Sequence, residues 1–171
     1  MGKSFTLIFM NTKEFKDKAL EISLKCVDKE PSDWLTFNDN INTKLLDDNY
    51  ESKFVLLDEN ELPILDCSLN NSYLLVTTER VISIIDNNYD EVYSKDFEGL
   101  CNDYEKFNYK GENNQNPKTN FICIKKTNKT KLLAVIDSYY PTFFSKMLIC
   151  NVLLYKKEGR WFLNPSKKNY E

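Results

Sequence analysis

Three oxygen-bearing side chains stand at alternate positions in Asp86, Asn88 and Asp90, as in the first half of a calcium-binding loop. The second half of such a loop does not follow. Glu91 stands where the sharp turn requires glycine, and Phe97 stands where a bidentate glutamate would complete the site. Because Asp and Asn are also favoured in turns between strands, the sequence predicts a turn here and no metal site.

No other group of residues indicates catalysis or a cofactor. The chain contains no histidine, which is the commonest general base near neutral pH and the commonest zinc ligand. Its four glycines never cluster into a loop that would bind phosphate through backbone amides. We therefore predict a protein that is not an enzyme and that needs neither a metal nor a cofactor.

The cysteines show no C-x-x-C pair that would hold a metal or exchange disulfides. They are Cys26, Cys67, Cys101, Cys123 and Cys150. We predict that they are small buried hydrophobic residues. Their odd number, and the lack of a secretory signal in Met1–Met10, predict a reducing, cytoplasmic location. The longest apolar run, Met147–Tyr155, is too short to cross a bilayer, so we expect no membrane span.

Charge is distributed unevenly along the chain. The first 100 residues hold 10 Lys and Arg against 20 Asp and Glu, a net charge of −10, whereas the remaining 71 residues hold 13 against 6, a net charge of +7. The two halves either neutralise each other in the fold or present opposite fields to charged partners. The sequence pI of about 5.2 disfavours a nucleic-acid partner.

The acidic half concentrates its charge near aromatic residues, which suits binding to a basic protein because charge speeds the encounter and buried rings hold the complex. Phe54 lies within this acidic stretch. The predicted partner-binding residues are Trp34, Asp39, Asp47, Asp48, Tyr50, Glu51, Asp58 and Glu59.

The basic half concentrates lysines in one predicted hairpin, at Lys125, Lys126, Lys129 and Lys131. Lysine-rich turns are usually solvated faces.

The first helix has strong local signals and should extend from Asn11 to about Asp28. Asn11 and Glu14 have capping-box spacing, and an apolar stripe of Phe15, Ala19, Ile22 and Cys26 follows at helical intervals. On the opposite face we expect solvated charges at Lys13, Lys16, Asp17 and Glu21. A second, weaker helix is predicted after Pro31, with Trp34, Phe37, Ile41 and Leu45 on its apolar side.

From Phe54 the pattern changes to short β-rich runs separated by turns too short for crossover helices, which indicates an antiparallel sheet. The predicted strands are Phe54–Leu57, Ile64–Leu65, Tyr73–Thr77, Val81–Ile85, Glu91–Tyr93, Phe121–Lys125 and Lys131–Ile136. Asn108–Asn120 is predicted to be a long loop, and Phe5–Met10 a first strand.

The segment from Pro141 to Gly159 is ambiguous. Apolar residues at a period near 3.6, followed by Lys156, Lys157 and a glycine, favour a closing helix. The competing interpretation is a hairpin that turns at Lys156–Gly159.

The segment SYLLVTTERVISIIDNNYDEVYSKDF, Ser72–Phe97, resembles the order of strand, T-x-x-R turn, strand and strand in bacterial pleckstrin-homology-like and GRAM-like domains. This resemblance covers about residues 50–160 and implies a bent, partly open barrel plugged by one helix. Residues 1–50 have no counterpart in that family. The expected fold is α+β, with an antiparallel sheet or partly open barrel packed by a C-terminal helix and preceded by an N-terminal helix. We expect residues 1–171 to form one domain, with a helical extension at 1–50 and a β-rich core at 51–160.

The sequence thus predicts a binding protein that blocks a protein partner. Small acidic cytoplasmic proteins that neutralise bacterial toxins have this general character. The alternative, implied by the resemblance, is a lipid-head-group or adaptor module with peripheral membrane contact. In that case the four lysines of the predicted hairpin would bind an anion or the head group of a lipid.

Overall fold

The computed structural model describes residues 10–101 and 117–162. Their elements are a helix, five strands in one sheet, three strands in a second sheet, and a closing helix. The fold class predicted from sequence, α+β with antiparallel pairing, is confirmed. The sheets are not closed into a barrel, since within the described residues no strand of one pairs with a strand of the other.

Helix α1 extends over Thr12–Val27. The predicted capping box is confirmed: Asn11 accepts a hydrogen bond from the Glu14 amide at 2.9 Å, and Glu14 accepts one from the Asn11 amide at 3.1 Å. Phe15, Ala19 and Ile22 are buried, as the stripe predicts. The expectation that Lys16 is solvated is wrong, because this lysine is 2% exposed and donates to the Leu46 carbonyl and to Asp48, both at 2.7 Å.

The predicted second helix is wrong. Only a single 3-10 turn, Pro31–Asp33, forms there. Trp34 turns into the core, where its ring lies 4.7 Å from that of Phe144, so the chain cannot continue along a surface helix. Leu45, expected on that helix, belongs instead to strand β1.

The five-stranded sheet follows chain order, and each strand is antiparallel to the next. Its strands are β1 Thr43–Leu45, β2 Pro63–Leu69, β3 Ser72–Thr77, β4 Arg80–Ile85 and β5 Asn88–Tyr93. The turn predicted at the calcium-like sequence is confirmed, because Asp86 and Asn87 take left-handed φ angles of 50° and 65° between β4 and β5.

A second 3-10 turn, Ser94–Asp96, leads into the three-stranded sheet of β6 Phe97–Leu100, β7 Thr119–Lys126 and β8 Lys131–Asp137. The last two residues of the predicted loop Asn108–Asn120 begin β7, and most of that loop, like the predicted strand Phe5–Met10, lies outside the described residues. β8 packs against β2, β3 and β4 of the other sheet.

Two of the cysteines, Cys101 and Cys123, are buried as predicted, but they are bonded to each other and do not act as separate small hydrophobic residues. The Cα atoms of this disulfide are 5.2 Å apart, and the amide of Cys101, which follows β6, donates to the carbonyl of Cys123 in β7. Cys26, Cys67 and Cys150 are free.

Helix α2 extends over Tyr140–Glu158 and settles the C-terminal ambiguity in favour of the helix. Gly159 ends it with a φ of 70°, a conformation that glycine adopts without strain. Phe144, Leu148 and Val152 are fully buried. α2 packs against α1 and against the three-stranded sheet, so the main core lies between the helices and the two sheets.

Candidate functional site

The acidic ribbon, which we define as residues 47–59, links β1 to β2 without forming a helix or strand. It crosses the face of the five-stranded sheet that points away from the main core, where Tyr73, Leu75 and Ile82 form a separate small cluster. Its acidic residues are Asp47, Asp48, Glu51, Asp58 and Glu59.

The middle of the ribbon alternates between partly buried and exposed side chains. Val55 and Leu57 pack against the small cluster on the sheet. Phe54 is 59% exposed and Leu56 is 92% exposed. The strand predicted at Phe54–Leu57 is wrong, because these residues pair with no strand among those described, yet the alternation behind that prediction is present.

Arg80 fixes the ribbon's backbone. Its Nη2 donates to the Leu56 carbonyl at 3.0 Å, while its Nε donates to Glu61 at 2.9 Å and its Nη1 to Glu91 at 2.7 Å. Thr77 also donates to Glu61, at 2.6 Å. Burial by itself would raise the pKa of Glu61, but these hydrogen bonds outweigh it and hold the pKa below its ordinary value. An ion pair therefore holds the peptide group from which Leu56 projects.

Tyr50 attaches the start of the ribbon to the sheet by donating to Asp66 at 2.7 Å. The Tyr73 hydroxyl lies 3.0 Å from that of Ser52, and its ring lies 4.7 Å from the ring of Phe54. Burial raises the pKa of Asp66, although the tyrosine hydroxyls partly offset this. Phe54 is thus exposed but rests on a fixed aromatic neighbour.

The exposed acids of the ribbon differ in their partners. Asp48 forms ion pairs with Lys16 at 2.7 Å and with Lys13 at 3.3 Å, and the Lys16 hydrogen bond is the main reason that its pKa is lowered. Within the described residues no ion pair forms at Asp47, Glu51, Asp58 or Glu59, all of which are exposed. These four carboxylates are available to an external cation.

Three predicted partner-binding residues differ from expectation. Trp34 is 4% exposed and packs on Phe144, so it is a core residue and not a surface anchor. Tyr50 is half-buried, with its hydroxyl bonded to Asp66. Asp39 lies outside the ribbon and pairs with Lys118 at 2.6 Å. Leu56, which sequence analysis did not single out, is the most exposed large hydrophobic residue described.

The lysine hairpin, Lys125, Lys126, Lys129 and Lys131, is partly neutralised. Lys126 forms an ion pair with Asp90, and Lys129 forms one with Glu98 at 2.8 Å. Lys125 and Lys131 are exposed and face each other across the β7–β8 pair.

A second exposed apolar group lies at the start of α2. Leu35, Phe37, Tyr139 and Phe143 are 45–64% exposed, and the rings of Phe37 and Tyr139 lie 5.4 Å apart. We call these four residues the aromatic patch. Tyr139 has a φ of 71° and a ψ of −120°, a conformation that is strained for a residue with a side chain.

Comparison of the chain with protein-family models, with curated proteins and with solved structures found no match. Among the described residues, none of the helices combines the length and the apolar character that a membrane span requires. The same part of the chain holds no group of three Cys, Asp or Glu side chains placed to bind a metal ion.

Proposed function

We propose that this protein is a non-catalytic binding protein that uses the acidic ribbon to bind and block a basic protein partner. One observation carries the proposal: Leu56 projects into solvent from a peptide group held by Arg80, and Phe54 is exposed two residues before it. Both lie in a segment with four carboxylates that form no ion pair within the described residues.

Each part of this arrangement has a physical role in binding. Unpaired carboxylates attract a basic surface over a distance and speed the encounter. Covering a side chain the size of Leu56 contributes about 1.5 to 3 kcal/mol, which is about tenfold or more in affinity. Because the ribbon is already held against the sheet, little conformational entropy is lost when a partner docks.

Neutralisation of a bacterial toxin by an immunity protein is the form of this function that the chain's small size and acidic character favour. A toxin that is neutralised in this way would have to carry a basic surface where the ribbon covers it. Identification of the partner decides this point.

The alternative, recognition of a lipid head group by the lysine hairpin, has less support. Lys126 and Lys129 already pair with carboxylates, which reduces the field that an anionic membrane would meet.

The first experiment captures the partner by position. A photo-reactive phenylalanine replaces Leu56 in one sample and Phe143, in the aromatic patch, in a control sample; both are cross-linked in a lysate of the source organism. We expect a basic protein to be captured through position 56 and not through position 143. Cross-linking to hen lysozyme, measured separately, shows how much capture arises from non-specific attraction of any basic protein.

The captured partner is then tested with two truncations of exposed side chains, Leu56→Ala and Phe143→Ala. Leu56→Ala should raise the dissociation rate about tenfold, because the lost contact is buried only in the complex, whereas Phe143→Ala should leave that rate unchanged. Capture through position 143, or dissociation that is insensitive to Leu56→Ala, would contradict the proposal. Binding to anionic vesicles that is lost on reversal of Lys125 and Lys131 would support the alternative.

A further inference from the structure

An open cleft with a volume of about 720 Å³ lies beside the tip of the β2–β3 hairpin. This volume is within the roughly 300 to 1,000 Å³ typical of small-ligand sites. The lining is dominated by uncharged polar side chains, including five asparagines: Asn38, Asn40, Asn42, Asn70 and Asn71. Ser68, Ser72 and Thr119 add hydroxyl groups.

One wall of the cleft is fixed by a buried carboxylate. Asp137 is fully buried and accepts hydrogen bonds from the Asn38 side chain at 2.9 Å and from the Asn42 side chain and amide at 2.9 and 2.6 Å. Thr43 donates two further bonds to it, at 2.7 and 2.8 Å. This wall therefore keeps its shape although residues 38–42 belong to no helix or strand.

The opposite wall joins two turns. The Asp86 amide donates to the Asn71 carbonyl at 2.9 Å and so connects the β2–β3 turn to the β4–β5 turn. The side chains of Asn70 and Asn71, and that of Asn40 across the cleft, make no hydrogen bond within the described residues. Their amide groups are therefore available to a molecule in the cleft.

The cleft carries little net charge. Of its three charged lining residues, Asp39 and Lys118 pair with each other at 2.6 Å, which leaves the exposed carboxylate of Asp86. A strongly anionic ligand would be repelled by that carboxylate, because the one lysine in the lining, Lys118, already pairs with Asp39. A divalent cation would find a single unpaired carboxylate there, and among the described residues no group of three Cys, Asp or Glu side chains is placed to bind a metal ion.

We propose that this cleft binds a neutral polyhydroxylated molecule of the oligosaccharide class. An asparagine amide both donates and accepts hydrogen bonds, as a sugar hydroxyl does, so neighbouring amides can pair with neighbouring hydroxyls without a charge. Leu69, Ile85, Phe121 and Val135 provide apolar surface for the C–H faces of the sugar rings. No residue of the acidic ribbon lines the cleft, although Phe54 lines a neighbouring pocket together with Asn70 and Asn71. The proposed binding requires only the cleft and not the protein partner.

The test uses the full chain and a panel of neutral gluco-, manno-, galacto- and N-acetylhexosamine oligosaccharides, screened by saturation-transfer NMR. Inorganic phosphate and a sulfated oligosaccharide serve as anionic comparisons. We expect binding of at least one neutral oligosaccharide and none of the anions. Absence of binding across the neutral panel, or preference for the anions, would overturn the proposal.

Variants then locate the site. The double variant Asn70→Ala with Asn71→Ala should weaken binding about tenfold, because two hydrogen-bonding groups are lost. Asn40→Ala, on the other wall, should weaken it about threefold and keeps the test valid if the double variant disturbs its hairpin. The matched control, Asn49→Ala with Asn60→Ala, changes two exposed asparagines outside the cleft and should bind like the wild type. Equal affinity of all these proteins would place any binding elsewhere and refute the site.

Discussion

Removal of the Arg80 guanidinium by Arg80→Met tests the interaction that holds the acidic ribbon. The variant leaves the carboxylate of Glu61, whose side chain is 0% exposed, without its cation. Breaking a buried pair in this way costs about 3 to 5 kcal/mol. For a chain of this length about 1 kcal/mol lowers the melting temperature by roughly 2 to 4 °C, so we expect a fall of about 6 to 20 °C at neutral pH.

The loss of stability in Arg80→Met should be larger at neutral pH than in acid. In the wild type the pKa of Glu61 is held below its ordinary value near 4.5, so its ionisation contributes stability above that pH, and this contribution disappears as pH falls through the lowered pKa. Without Arg80, burial dominates and raises the pKa of Glu61. Ionised Glu61 therefore lowers the free energy of unfolding of the variant above about pH 4.5 and not below it. The difference in stability between the wild type and the variant should narrow in acid.

Thermal unfolding followed by circular dichroism between about pH 3.5 and about pH 7 provides the measurement, because these limits lie about one unit below and about two and a half units above the ordinary glutamate pKa. The control Lys156→Met removes a half-exposed cation paired with Glu79 and should cost less than about 1 kcal/mol. Adding Glu61→Met to Arg80→Met should restore part of the stability, because no unpaired buried charge remains. A loss as small as that of Lys156→Met, or one that is constant with pH, would refute the reasoning.

Three further predictions test the fold. Leu57→Ala should lower the free energy of unfolding, measured by chemical denaturation, by roughly 1 to 2 kcal/mol because this side chain packs on the sheet. Leu56→Ala should leave it unchanged because Leu56 is exposed. Equal effects of the two variants would contradict the inward orientation of Leu57 and the outward orientation of Leu56. Asn11→Ala should cost about 1 kcal/mol through loss of the N-cap, with reduced amide protection confined to the first turn of α1. Cys101→Ser should cost about 3 kcal/mol by opening the 22-residue separation to Cys123, and mass spectrometry of the unreduced wild type should show two fewer alkylated thiols than the reduced protein.

Local interactions explain which elements could be predicted from the sequence. The capping box of α1 involves residues three apart, and the closing helix α2 shows a repeated apolar period with a terminal glycine. Such signals do not depend on the rest of the chain. The central strands β3 and β4 were likewise predictable, because each is β-rich and the turn between them is short.

Non-local interactions explain the errors. Strands β1 and β6 contain three and four residues, too few for a periodic pattern, and exist only because β2 and β7 pair with them. Lys16 is buried because Asp48, 32 residues away, accepts its hydrogen bond. The disulfide requires the register of β6 against β7, which no local pattern of residues encodes.

The sequence predicted the exposed acidic residues of the candidate site, but it did not predict which apolar residues are exposed beside them. The acids Asp47, Glu51, Asp58 and Glu59 are exposed, as a cluster of charge suggests. Large aromatic size favoured Trp34 as an anchor, but size also favours burial, and Trp34 fills the core beside Phe144. Leu56 is exposed only because Val55 and Leu57 occupy the sheet surface on either side of it.

The association rate with the captured basic partner tests the central role of the acidic ribbon most directly. The ribbon variant Glu51→Lys with Glu59→Lys is compared with Glu30→Lys plus Asp33→Lys, which changes net charge equally at exposed acids outside the ribbon. At about 0.01 M salt, where screening extends over about 30 Å, the ribbon variant should associate about tenfold more slowly than the control, and at about 1 M salt the two should converge. Equal rates for the two variants at low salt would contradict a docking role for the ribbon.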